Sequence, residues 1–234
     1  MKQIILAEQN RLEKKTMHRV FIDLESAYDR VIVSILIKKL ISKGVSSRLC
    51  LLVESLLSNG YVQVAVNGEL TSPIPRTRGL FQGSLLSPIL FDVFIDDLAV
   101  ELNNSTQTHK PMCFLFADDI LLQSSSALII QQMLEKTIHW CNTNGMKINV
   151  SKCGTFNESH GFKADNTTIP IVKTYKYLGV PIDAKGIRAD LLLENNLRKA
   201  TAAIIKLKQS LTSSSWPLVA KLNIYKMFVR SVLE

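Results

Sequence analysis

The stretch Pro111–Gln123, PMCFLFADDILLQ, constrains this chain more than any other. Five apolar residues, Met112 to Phe116, lead into Ala117, Asp118 and Asp119, and Ile120, Leu121 and Leu122 lead out. Apolar runs without alternation read as strands covered on both faces. Two carboxylates therefore stand at the join of two buried strands. One reading is a plain hairpin turn, since aspartate tolerates turn geometry. The other is a metal site. Two anions ~4 Å apart repel by roughly 4 kcal/mol at an effective dielectric of about 20, and a divalent cation offsets that repulsion.

A second stretch, Arg19–Val31 (RVFIDLESAYDRV), has the same construction: Val20, Phe21 and Ile22 form an apolar strand that ends on Asp23, with a helical segment after it. Two strands that each deliver carboxylates at their ends can gather three acids around a pair of magnesium ions. That pair is the recurrent machinery of nucleotidyl transfer. Gln82-Gly83-Ser84 lies between the two stretches.

At 234 residues and 47% hydrophobic, the chain is long enough to bury a sizeable core. No run approaches 18 uncharged apolar residues, so no membrane span is expected, and Ile4-Ile5-Leu6 is too short an apolar run for a signal peptide. Cys50, Cys113, Cys141 and Cys153 form no CxxC pair and read as buried thiols of a reducing compartment. The net charge of +8 is uneven: residues 1–146 carry 14 basic and 14 acidic side chains, residues 147–234 carry 14 and 6. A neutral front and a basic rear suit a protein that grips a phosphate backbone with its C-terminal part, although a basic solvated surface has the same composition.

The periodicities predict a helix over 1–17, a strand over 18–24, and helices over Tyr28–Leu40 and 46–58. Alternation from Tyr61 to Val66, with Asn67-Gly68 after it, predicts a hairpin returning toward Pro73. In Arg76–Asn103, Gly83-Ser84 offers a loop and a cap, Pro88 fits the first helical turn, and a long amphipathic helix follows. Asp92, Asp96 and Asp97 are placed on its solvated side. A helix over 126–144 ends at Asn144-Gly145, a strand follows over 146–156 and a short one over 175–180, and helices are predicted at 187–213 and 217–232. The interleaving is an α+β plan.

Five segments, in order, resemble the motifs of reverse transcriptases, most closely those of non-LTR retrotransposons. They are FIDLESAYD (21–29), FQGSLLSP (81–88), FADD (116–119), NVSKCGTF (149–156) and YKYLGV (175–180), so the resemblance covers about 16–183. It implies a polymerase palm, an antiparallel sheet with packed helices, followed by a partial helical thumb. The expected domains are an N-terminal helix at 1–17, a palm at 18–183 with a helix-and-hairpin insertion at 45–80, and a thumb portion at 187–234. The implied activity is RNA-directed DNA polymerisation, the two-metal transfer of deoxynucleotides to a primer 3′-hydroxyl. Its cofactors would be two Mg2+ ions, with Mn2+ as a substitute. Its partners would be an RNA template, a DNA primer and dNTPs, in an intracellular setting.

The resemblance also implies roles for particular residues. Asp23, Asp118 and Asp119 match the metal ligands, and the backbone carbonyl of Leu24 an extra one. Lys152 matches the proton donor to pyrophosphate. Tyr28, five residues after Asp23, matches the bulky residue that excludes a ribose 2′-hydroxyl. RNA-dependent RNA polymerases usually carry an acid there and Gly before the Asp pair, so Tyr28 and Ala117 argue against them. Gln82 and Gly83 match the pair against the nascent base pair, and Tyr177, Leu178 and Gly179 the hairpin at the primer end. Arg76 and Arg78 are candidates for nucleic-acid contact. Phe81 departs from the family, which usually has proline before the glutamine. Fingers strands, an endonuclease domain and a zinc knuckle are not recognised in the sequence, and the thumb stops at Glu234. A fragment that holds primer–template without extending it is therefore the expectation. A group II intron maturase and a non-catalytic nucleic-acid-binding remnant are the alternatives.

Overall fold

β1 (His18–Asp23) is central because three apolar residues in a row, Val20, Phe21 and Ile22, need cover on both faces, and each is at most 1% exposed. The computed structural model describes residues 17–104, 112–156, 161–212 and 216–233. After β1 come the one-turn helix α1 (Ala27–Arg30), α2 (Val33–Ser42) and α3 (Ser47–Ser58). Four two-residue strands follow: β2 (Tyr61–Val62), β3 (Ala65–Val66), β4 (Glu69–Leu70) and β5 (Ile74–Pro75). Next are α4 (Leu86–Asn104), β6 (Met112–Phe116), β7 (Asp119–Ser124), α5 (Ala127–Asn144) and β8 (Gly154–Thr155). β9 (Lys163–Ala164) and β10 (Thr167–Thr168) form a small hairpin beyond them.

The main sheet is antiparallel, in the order β6-β7-β1-β8. α5 packs on β1 and β7, and α4 packs on β6, α2 and α5. Phe91, Phe94, Leu98 and Leu102 recur at helical spacing along α4, and all four are fully buried. α5 ends where expected: Gly145 is left-handed, at φ 71°, and a Cβ there would come within 2.6 Å of Ile32. The hairpin at Asn67-Gly68 also forms, with both turn residues at positive φ. All four cysteines are buried, and burial pushes the Cys113 and Cys141 thiols up to about 12. Among the described residues no helix is long and apolar enough to cross a membrane.

The structure departs from the sequence reading in three places. The helix predicted over Tyr28–Leu40 is broken: Val31 turns extended, at φ −55° and ψ 120°, and its carbonyl accepts the Gly79 amide at 2.7 Å. Asp96 and Asp97 are not simply solvated. Lys43 pairs with Asp96, and Lys39 reaches both carboxylate oxygens of Asp97, at 2.8 and 2.9 Å. The Lys39 ammonium also donates to the Phe94 carbonyl at 2.7 Å and lies 4.6 and 4.8 Å from the ring centres of Phe94 and Trp140. Trp140 in turn donates its indole N–H to Asp97 at 2.9 Å. Third, β6 is not covered on both faces: it is an edge strand, with Cys113 buried and Phe116 62% exposed. The helix expected at 1–17 lies almost wholly outside the described residues.

Residues from Lys173 onward cluster as a separate unit. Within it β11 (Tyr175–Tyr177), β12 (Val180–Asp183) and β13 (Gly186–Ile187) form an antiparallel sheet. α6 (Ala189–Thr212) follows, then α7 (Leu218–Tyr225), which continues through a π-helical turn at Lys226–Arg230 into α8 (Ser231–Leu233).

The Lys39 cluster gives a stability prediction. Asp97→Ala leaves a half-buried ammonium and an indole N–H without their acceptor. It is expected to cost about 2 kcal/mol, the low end for such pairs because Asp97 is half exposed. Lys39→Met, which removes the charge itself, should cost less. Urea unfolding of the two variants checks the order.

Candidate active site

The hairpin β6–β7 and the end of β1 bring the acids together. Phe116 pairs with Asp119, so Ala117 and Asp118 form a two-residue turn, and Asp119 in turn faces Asp23 across the β1–β7 ladder. The Asp23 carbonyl accepts the Asn149 amide at 2.9 Å, on the opposite edge of β1 from β7. The Asp23–Asp119 pairing is therefore of the non-hydrogen-bonded kind, in which facing side chains stand closest. The Glu25 amide donates to Lys147 at 2.8 Å, and Leu24 bridges Ile148. These flanking bonds turn the Leu24 carbonyl away from 147–149 and toward the β7 side, where the acids are.

Ala117 lies at φ 51°. Left-handed backbone costs a non-glycine residue roughly 1–2 kcal/mol, and such strain clusters at functional sites. Ser26, just after the β1 acid, is also left-handed, at φ 49°. Neither feature has a signal in the sequence, because alanine and serine are not residues that announce this conformation.

Electrostatics tie the acids into one site. Burial holds the Asp23 carboxyl above its ordinary range, with Lys152 pulling it down and Asp118 pushing it up. Burial does the same to Asp119, reinforced by the charges of Asp118 and Asp23. Lys152 stands on a 3-10 turn (Val150–Lys152) with its ammonium 3.9 Å from Asp23 and largely in solvent. Among the described residues no three acidic, histidine or cysteine side chains converge to close a metal cage. The acids stand instead as an open, all-oxygen set at one end of the two inner strands, a donor type that hard divalent cations prefer.

Beside the acids, Tyr28 on α1 stacks on Phe91, with ring centres 4.8 Å apart and planes 13° apart. Burial raises its hydroxyl pKa, and the charges of Asp118 and Asp92 add to the effect, which puts the phenol within electrical reach of the acids. The Leu80 amide donates to the Tyr28 carbonyl at 2.8 Å, so the 79–82 segment runs alongside α1. Gln82 and Gly83 follow, both exposed, and the Gln82 side-chain Nε2 donates to the Asp29 carboxylate at 3.4 Å. Arg76 does not project outward as its candidacy for nucleic-acid contact requires. Its guanidinium is turned into its own loop, donating to the carbonyls of Arg78 and Leu80, whereas the Arg78 side chain is exposed. Tyr177, Leu178 and Gly179 belong to the other unit. Tyr177 is buried there, and Leu178 and Gly179 make a tight turn at φ 50° and 82°.

Residues 1–182 match the family described as reverse transcriptase (RNA-dependent DNA polymerase). Among curated relatives, the chain is 27% identical over 197 residues to the Pol polyprotein of the type-1 retrotransposable element R2 of Popillia japonica. That alignment takes in 76% of this chain and 32% of the relative. It is 29% identical to the RNA-directed DNA polymerase of the mobile element jockey of Drosophila melanogaster, over 70% of this chain and 19% of that protein. The chain thus spans about a third of the R2 relative or less. Among solved structures, telomerase of Candida tropicalis, in a complex with a fragment of telomeric RNA, covers 99% of this chain and matches over 40% of its own. The TM-score is 0.63 and the identity 13%. Telomerase of Candida albicans gives a TM-score of 0.57 at 18% identity, again over 99% of this chain and 41% of its own. These likenesses show the palm and thumb fold.

The site carries a stability cost with a defined pH sign. The Asp119 carboxyl is raised above its unfolded value of 3.8, so its favourable contribution is present below that pH and is lost as pH rises through the folded value. Asp119→Asn is therefore expected to melt higher than the parent chain at pH 7. The difference should close below pH 3.8. Thermal melts across that range, without added divalent ions, check the sign.

Proposed function

Because the chain belongs to the reverse transcriptase (RNA-dependent DNA polymerase) family, which it matches over residues 1–182, we propose that it carries the catalytic palm of a retrotransposon polymerase. In this reading the palm spans residues 18–183, with an insertion at 45–80, and residues 187–234 are part of a helical thumb. The reaction is the joining of a deoxynucleotide to a DNA primer on an RNA template. The observation that carries it is the facing pair Asp23 and Asp119, set on a buried ladder with both carboxyls raised by burial. A fold does not retain facing acids at the end of its central ladder for stability.

Asp23, Asp118, Asp119 and the Leu24 carbonyl would hold two divalent ions, Mg2+ or its substitute Mn2+. Bound there, the ions supply acidification of the primer 3′-hydroxyl and neutralisation of charge at the α-phosphate. Lys152 has one side toward Asp23 and the other toward solvent. It is suited to pass a proton to the departing pyrophosphate. Tyr28, backed by Phe91, presents a ring that fills the space a ribose 2′-hydroxyl would need. Gln82 and Gly83 lie against the nascent base pair, and the turn at Leu178-Gly179 meets the primer end. The exposed Lys173, Lys176, Lys199, Lys206 and Lys208 supply phosphate contacts.

Three measurements on the protein test the reading. Asp118→Asn should lower primer extension by about a thousandfold, of the order that loss of one transition-state charge partner produces. It should also weaken Mg2+ or Mn2+ binding in calorimetry, and unchanged values for both would remove the site assignment. Tyr28→Ala should admit ribonucleotides in primer extension, and unaltered sugar choice would make Tyr28 a packing residue. Primer–template affinity should fall steeply with salt, by about 0.7–0.9 log units per log salt for each phosphate contact. Salt-insensitive binding would reduce the basic C-terminal part to a solvated surface.

A further inference from the structure

The loop that precedes Gln82 closes on a single side chain. The Arg76 guanidinium lies 4.3 Å from the ring centre of Phe81, its Nε donates to the Arg78 carbonyl at 3.0 Å, and a terminal nitrogen donates to the Leu80 carbonyl. The Arg76 amide donates to Gly60 at 2.8 Å, and Gly60 makes room for the same ring: a Cβ there would come 3.2 Å from it. The Phe81 carbonyl accepts from the Ser87 hydroxyl at 2.6 Å and from the Ser84 amide at 3.3 Å. On the α1 side, the Gly79 and Leu80 amides bond the carbonyls of Val31 and Tyr28. A Cβ on Gly79 would stand 2.8 Å from the Asp29 carbonyl and 2.9 Å from the Arg76 guanidinium, so the loop and α1 touch backbone to backbone.

We infer that Arg76 and Phe81 form a positioning pair that sets Gln82 and Tyr28, and through them governs which base and sugar the site accepts. A guanidinium is flat enough to lie on a ring while its edge donates to two carbonyls. The carbonyls of Arg78 and Leu80 and the Phe81 ring are thereby tied to one guanidinium, and Gln82 follows directly after this clamp. The consequence for nucleotide choice rests on the polymerase reading of Gln82 and Tyr28. The clamp does not.

The test is a double-substitution cycle of Arg76→Ala, Phe81→Leu and both together, with Arg76→Lys as the conservative variant. Hydrogen exchange at the Gly79 and Leu80 amides is read on this chain. The KM and kcat for dNTP, and mispair insertion, are read in primer extension. Each single substitution should speed exchange at these amides about tenfold, the scale of one cation–ring contact with its accompanying hydrogen bonds. Amides of β1 and β7 should not change. The double substitution should add little to either single one, and Arg76→Lys should fall between. In primer extension, KM and mispair insertion should rise about tenfold, with kcat within about twofold. Additive exchange effects, or protection lost throughout the sheet, would overturn the clamp. A coupled exchange cycle with unchanged KM and mispair insertion would overturn its link to nucleotide choice. Absence of extension in the unsubstituted protein would sink the polymerase reading and that link together, leaving the clamp standing on exchange.

Discussion

Everything functional in this fold depends on the antiparallel ladder between β1 and β7. It pairs Val20 with Leu122 and Ile22 with Ile120, all buried, and ends by setting Asp23 against Asp119. Burying one large aliphatic side chain contributes roughly 1.5–3 kcal/mol, so the apolar rungs can outweigh the repulsion of two facing acids at the last one. Slipping the register by one residue would exchange the two buried faces of β1 and break the packing of Val20, Phe21 and Ile22 against their present neighbours. The acids are therefore held by the core itself, and the tight turn at Ala117 and Asp118 follows from a register that cannot move.

A second layer of organisation grows from the break after α1. Had the helix run on from Tyr28, the Val31 carbonyl would have entered its ladder. Turned extended, it accepts the Gly79 amide instead, and the Tyr28 carbonyl accepts that of Leu80. The unwound pair Val31-Ile32 thus lets the segment carrying Gln82 be stitched to the helix carrying Tyr28. The base-facing and sugar-facing residues of the proposed polymerase are set by the same few backbone bonds. Phe91 backs Tyr28 from α4, whose neighbouring Phe94 sits over Lys39, so the same helix supports both the site and the cluster behind it.

Much of this was legible in the chain. The unalternating runs around Asp23 and after Asp119 specified the buried strands β1 and β7, whereas the run before Asp118 became the edge strand β6, with Phe116 exposed. Asn67-Gly68 and Asn144-Gly145 specified their turn and cap, because those residues alone adopt the left-handed backbone without strain. The ordered motifs identified the family. These are local signals, carried by periodicity and residue chemistry within a dozen positions.

Tertiary structure alone decided what depends on partners far away in the chain. Asp97 reads as a solvated residue on a helix face, yet Lys39, 58 positions earlier, and Trp140, 43 positions later, converge on it. The Leu24 carbonyl turns toward the acids only because residues 147–149 take the other edge of β1. A charged side chain or a backbone carbonyl has no preferred direction of its own. The packing of distant segments determines which neighbour it meets, and a one-dimensional pattern carries no record of that encounter.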